Sequence, residues 1–260
     1  MNKTQIDWTD RTWNPVTGCL GPRADGPCWF CYAKTIAHRF AERPGDQSLH
    51  EVLLGQRKVF PWAFDPTIYW ERLGEPERLR QRKIRGRPTR VFVGSMGDLF
   101  GRWVPDFWVD EVLGVIEANP DLVFQVLTKW PQNAQRFRLP PNVWLGTSVT
   151  GDIACERDEQ RRVNALAQIS ASVKFVSLEP LLGIASLSSL IRIAEPDWLI
   201  VGALTGPKAR TCGLDDEQLR AGADEAIRLS RAMGFPLFFK HNLIKRLSGL
   251  REDQFREFPS

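Results

Sequence analysis

From about residue 90 onward the chain alternates short apolar runs with amphipathic stretches, and few folds accept that rhythm. The runs are Arg90–Gly94, Leu122–Thr128, Val143–Val149, Val173–Leu178, Asp197–Ala203 and Pro236–Lys240. Short, mostly apolar runs of this kind suit strands covered on both faces, as in a parallel sheet. Helical stretches lie between several of them. Phe107–Ala118 places Val109, Val112, Leu113 and Ile116 on one face, and Glu156–Ile169 places Val163, Leu166 and Ile169 opposite its charges. Leu214–Met233 opens on Asp215, Asp216 and Glu217, which suit the positive end of a helix, and Gly234 with Pro236 stops it. Its apolar positions Leu219, Ala223, Ala226, Ile227 and Met233 recur at helical spacing, and Ile184–Ile193 reads as a shorter helix. Strand–helix–strand connections of this kind are right-handed. With a seventh strand near Val16–Cys19, the expectation is an α/β fold: a parallel (β/α) TIM-like barrel, partial or complete. Its reactive groups should gather at the C-terminal strand ends.

The 260 residues fit one domain spanning 1–260, and 43% apolar content can fill its core. The stretch from about 44 to 89 breaks the rhythm with Pro44, Pro61, Pro66, Pro76 and Pro88. It reads as an insertion after the first helix, containing a helix at Pro66–Leu73 and acting as a lid or substrate contact. Met1 to Asp10 is polar, and the longest apolar stretch, Trp198–Leu204, is too short to span a bilayer. The expectation is a cytoplasmic protein with no membrane partner.

The five cysteines are an odd number, and three are clustered: Cys19, Cys28 and Cys31. That argues against a secreted disulfide scaffold and for metal binding. Three thiolates can hold three irons of a four-iron cube and leave the fourth open. Gly and Pro between Cys19 and Cys28 let a loop curl around such a cluster. After Cys31 a helix runs from Tyr32 to Phe40, and a helix N-terminus favours anionic sulfur. Rival readings are a zinc site with Cys155, Cys212 or His38 as fourth ligand, a structural or electron-transfer iron–sulfur site, and buried free thiols.

The net charge of +4 is mild, but seven Lys or Arg face one Glu between Glu77 and Arg90: Arg78, Arg80, Arg82, Lys83, Arg85, Arg87 and Arg90. This is either a solvated surface or a phosphate-contacting patch. Among ten tryptophans, Trp8, Trp13, Trp62, Trp103 and Trp130 sit beside Pro or Asp or outside regular apolar stripes, and some could stack on a flat ligand.

Cys28-Trp29-Phe30-Cys31 matches the Cys-x-aromatic-Cys hook of the radical S-adenosylmethionine (SAM) superfamily, which the chain resembles. The gap from Cys19 to Cys28 is eight residues, where three is usual. Over nearly its whole length the chain is also similar to a bacterial and phage family of radical-SAM-like proteins, often encoded beside a three-Cys-motif partner protein. The matching text is Asp7-Trp8-Thr9-Asp10, Thr12 to Cys19, Cys28 to Ala33 and Val93 to Phe100, then Leu127-Thr128-Lys129, Trp144 to Ser148, Ser177 to Leu181 and Phe238-Phe239-Lys240. Two departures stand out. Gly202-Ala203-Leu204-Thr205-Gly206 lacks the acid of the family's Gly-Gly-Glu-Ser-Gly-like stretch, and His241-Asn242 replaces Gln-Trp.

The resemblance implies an enzyme with a [4Fe–4S] cluster on Cys19, Cys28 and Cys31. SAM would bind the open iron and be cleaved to a 5′-deoxyadenosyl radical that takes hydrogen from a substrate. It also implies an electron donor such as flavodoxin or ferredoxin. Cofactor-side candidates are Phe30 of the hook and the polar residues at strand ends: Ser95, Asp98, Thr128, Lys129, Thr147, Ser148 and Glu179. Those polar residues could instead cap the following helices. Cys155 and Cys212, each after a late strand, are candidate hydrogen donors. The basic run, the tryptophans and the phage association suggest a nucleic acid or nucleotide as substrate. The competing class is a non-enzymatic nucleic-acid-binding protein stabilised by zinc or iron–sulfur.

Overall fold

The computed structural model describes residues 1–22, 26–41, 62–79, 86–206 and 208–259. Among them the strands are β1 (Asn2–Lys3), β2 (Arg11–Trp13), β3 (Val16–Thr17), β4 (Thr67–Ile68) and β5 (Thr89–Val93), then β6 (Leu122–Thr128), β7 (Val143–Val149), β8 (Val173–Leu181), β9 (Trp198–Ala203) and β10 (Leu237–Phe239). Eight form one sheet in the order β1-β2-β5-β6-β7-β8-β9-β10. The β1–β2 pair is antiparallel, and every later pair is parallel. The seven parallel strands curl into a partial barrel with helices outside.

Side-chain alternation gives the sheet two different faces. Val91, Val93, Phe124, Val126, Leu145, Val176, Leu199 and Phe239 join the large core under the helices. Phe92, Phe175, Trp198, Ile200 and Phe238 point the other way, around Trp8. Trp8 comes from the β1–β2 loop, and its ring lies 4.6 Å from Phe92, 6.0 Å from Phe175 and 6.2 Å from Trp198. This aromatic floor fills the N-terminal half of the concave face. The C-terminal tail fastens the last strand: Phe239 N donates to Phe255 O, Phe258 packs on Trp198, and Asp7 accepts from His241 N and Arg256.

The helix Asp216–Met233 shows how local chemistry sets an element. Asp215 accepts from Gln218 N at 2.8 Å, Gln218 accepts from Asp215 N at 3.2 Å, and Gly234 ends the helix at φ 80°. Such a capping pair contributes about 1 kcal/mol. Leu219, Ala223 and Ala226 are buried as their spacing predicts, while Ile227 and Met233 flank the core partly exposed.

Two expectations are corrected. Val16–Thr17 is not the first barrel strand: it pairs antiparallel with Thr67–Ile68 in a separate ribbon, and Arg11–Trp13 pairs with β5 instead. Pro15 has no N–H for a ladder, so the chain leaves the main sheet there. Pro66–Leu73 is not an α-helix either. Thr67 and Ile68, both β-branched, form β4, and only Trp70–Arg72 winds into a 3₁₀ turn. Of the expected insertion, Glu75–Leu79 is helical, and Pro44, Pro61 and His50 lie outside the described residues. Among the described residues no helix is long and apolar enough to cross a membrane.

Candidate functional site

The cysteines sit at the C-terminal end of the sheet because two loops are pressed together there. Gly18 has φ +86°, and a Cβ on it would lie 2.3 Å from Asp65 O. Its N–H donates to Met96 O at 2.9 Å, and a Cβ on Gly97 would come within 2.9 Å of Gly18 O. Only glycine at both places allows this approach. Asn14 ties the same loops, accepting from Met96 N at 2.9 Å and donating to Ser95 Oγ at 3.0 Å.

Cys19, Cys28 and Cys31 are free and half-buried. Cys19 Sγ accepts from Gly21 N at 3.2 Å. Cys31 caps the helix Tyr32–Phe40, and its Sγ accepts from Lys34 N at 3.4 Å. That helix buries Ala33 and Ala37 against Phe64, with Cys19, Cys31 and Met96 packed alongside. Burial, aided by the Asp98 charge, pushes the Cys19 thiol up to about 12, against the pull of the Gly21 N–H and Lys129. Burial also raises the Cys31 thiol, against the Lys34 N–H and Lys129. Lys129 therefore places its positive charge near two of the three sulfurs. Among the described residues no three His, Cys, Asp or Glu side chains are gathered closely enough to hold a single metal ion.

Asp98 is buried and engaged at both oxygens. Oδ1 accepts from Thr128 Oγ1 at 2.6 Å and Phe100 N at 3.2 Å, and Oδ2 accepts from Lys129 N at 2.8 Å. Burial raises its carboxyl, and these donors with the Lys129 charge work the other way. Asp98 thus braces the β5 loop to the end of β6. Thr147 is wholly buried and donates to Thr128 O at 2.7 Å, so both threonines serve the same seam. Ser148 alternates with Thr147 and falls on the concave side. The Ser95 carbonyl receives the Tyr32 hydroxyl at 2.7 Å.

On the opposite rim, Glu179 at the end of β8 forms an ion pair with Lys240, which follows β10. A Cβ on Gly202, in β9 between them, would lie 2.9 Å from Lys240 Cδ and 3.3 Å from Glu179 Cδ. Tyr32 is 54% exposed, its hydroxyl held on the Ser95 carbonyl, and burial of that end together with the Glu179 and Cys31 charges raises its phenol.

Phe30 packs edge-on against Trp29, 5.2 Å between centroids. Cys155 ends a 3₁₀ turn after β7, and Cys212 is exposed at the end of the short helix Ala209–Cys212. Two members of the basic run are used internally: Arg87 grips both oxygens of Asp10 at 2.7 and 2.8 Å, and Arg90 is buried with its guanidinium 3.5 Å from the Phe258 ring. Arg78 is exposed, and Arg80, Arg82, Lys83 and Arg85 lie outside the described residues. Trp8 and Trp13 are core residues, Trp103 and Trp130 pack edge-on together, and Trp62 is exposed. The sequence reading missed Asn14, Tyr32 and Lys240. The rule that picked out Glu179, a polar residue ending an apolar strand, also fits Lys240.

A solved structure of a spore photoproduct lyase mutant is similar to this chain with a TM-score of 0.58 and 13% identity, covering 89% of this chain and 76% of that one. At that identity the likeness is one of fold, a curled, mostly parallel half-barrel. No curated protein matches the chain in sequence. The family described as "Protein of unknown function (DUF5131)" matches residues 3–241, and the chain belongs to that family.

Proposed function

We propose that the chain is a radical SAM enzyme in which Cys19, Cys28 and Cys31 hold a [4Fe–4S] cluster and SAM lies in the mouth of the half-barrel. The observation carrying this reading is the placement of three accessible thiols on the C-terminal rim of a radical-SAM-type sheet, where catalytic groups collect. The donor set fits. Gly21 N and Lys34 N already point at two sulfurs and Lys129 adds a positive charge nearby, and these favour thiolate ligands against the burial that raises both thiols. When bound, cluster and SAM would supply one-electron cleavage and hydrogen-atom abstraction.

The chain's own residues shape the surroundings. Asp98 and Thr128 fix the loop that carries Ser95, which in turn holds Asn14 and the Tyr32 hydroxyl. The Trp8 floor keeps water from entering beneath. Lys129 is suited to a carboxylate, and Glu179 to a neutral N–H or hydroxyl donor. A nucleic acid or nucleotide substrate, a flavodoxin- or ferredoxin-like electron donor, a three-Cys-motif partner protein and a cytoplasmic location belong to the same proposal.

Anaerobically purified protein should be brown and hold about four irons per chain. Dithionite and SAM should yield 5′-deoxyadenosine, and Cys19→Ser, Cys28→Ser and Cys31→Ser should each abolish it. A colourless protein with stoichiometric zinc would overturn the reading in favour of a metal-stabilised binding protein. So would an iron–sulfur protein whose spectrum ignores SAM.

A further inference from the structure

Glu179, Gly202 and Lys240 come from three adjacent strand ends and meet on the concave face. A side chain at 202 would press on both partners, 2.9 Å from Lys240 Cδ and 3.3 Å from Glu179 Cδ, and the pair would have to shift. Among the described residues, Glu179 Oε1 takes the Lys240 ammonium, Oε2 takes no hydrogen bond, and the ammonium has no second partner. An ammonium carries three donors and a carboxylate several acceptor sites. With the side chains 28% and 16% exposed, the spare donor and acceptor lie side by side within reach of the mouth.

The charges of the pair cancel, and this selects the ligand. A phosphate or carboxylate that approached Lys240 would meet Glu179 at similar range, and a cation would meet the reverse. A neutral group that presents a donor beside an acceptor on one edge satisfies both. Nucleobases carry such edges. Aromatic surface is close by: Tyr32 is 54% exposed and near enough to Glu179 to feel its charge. Flat rings stack on such surfaces whatever their sequence.

We propose that Glu179 and Lys240 bind the hydrogen-bonding edge of a nucleobase, with Tyr32 as its flat wall. The base belongs to a nucleotide substrate. Its part in catalysis rests on the radical SAM reading, but the binding itself needs no cluster.

The test is calorimetric titration of the full chain, iron-loaded and iron-free, with adenosine, guanosine, cytidine and thymidine, and with phosphate, acetate and N-acetylglycinamide as controls. At least one nucleoside should bind more tightly than every control, and Glu179→Gln should weaken it about tenfold, the size of one hydrogen bond. Lys240→Gln and Lys240→Met should do the same, which secures the result if one variant fails to fold. Simultaneous binding of nucleoside and SAM supports the substrate site, and displacement of the nucleoside by SAM overturns it. The proposal falls if no nucleoside binds, if folded variants bind unchanged, or if a control binds as well. A colourless chain with Glu179-dependent nucleoside binding would keep this site and lose the cluster. An iron-loaded, SAM-responsive chain with no nucleoside binding would do the opposite.

Discussion

Lys208 reaches across the mouth to Trp29: its Nζ donates to the Trp29 carbonyl at 2.8 Å and lies 5.3 Å from the indole centroid. The loop after β9 is thereby strapped to the Cys28–Cys31 hook. Both partners are exposed, so the strap contributes under about 1 kcal/mol. Lys208→Met should raise the alkylation rate of Cys28 and Cys31 in iron-free protein about threefold, with Cys19 unchanged. Mass spectrometry of the labelled peptides reads this directly.

Asp98 should prove structural before anything else. Asp98→Ala leaves the hydroxyl of Thr128 and the N–H groups of Lys129 and Phe100 without an acceptor in a buried seam. The expected loss is about 3 kcal/mol or more. Urea denaturation of iron-free protein measures it, and a loss below about 1 kcal/mol would refute the bracing role.

Gly18→Ala should be costly for its size. The left-handed backbone alone costs a side-chain-bearing residue about 1–2 kcal/mol, and the Asp65 carbonyl stands in the way. The melting temperature should fall, and the cysteine loop should become more susceptible to proteolysis. Gly26→Ala, where nothing lies within 4 Å but φ is also positive, separates backbone strain from crowding.

The Asp10–Arg87 pair predicts an acid limb of stability. Burial alone would raise the Asp10 carboxyl, but the hydrogen bonds from Arg87 and Arg90 N, with the charges of both arginines, together hold it below the ordinary value. A carboxyl depressed in the folded state stabilises above its unfolded value of about 3.9. That contribution is lost as pH falls through the lower folded value. The stability difference between wild type and Asp10→Asn should be flat above about pH 5 and shrink steadily below. Urea midpoints at a series of pH values follow it, and an unchanging difference down to pH 2 would refute it.

The strands that repeat the apolar pattern cleanly were legible in the sequence: Leu122–Thr128 and Val143–Val149 have the expected bounds. Arg11–Trp13 was not, because three residues carry no period, and its place in the sheet depends on pairing with a strand about eighty residues away. The same division holds at the site. The cysteines announce themselves through local spacing. Asn14, Lys208 and Lys240 act on partners 81, 179 and 61 residues distant, so their roles exist only once the sheet has curled.

Trp8 has a consequence for traffic. With its indole stoppering the lower half of the half-barrel, the concave face is open on the side of the C-terminal strand ends, where the thiols sit. Anything seated against the aromatic layer can therefore back out only the way it came, and two molecules that need the same depth must take turns.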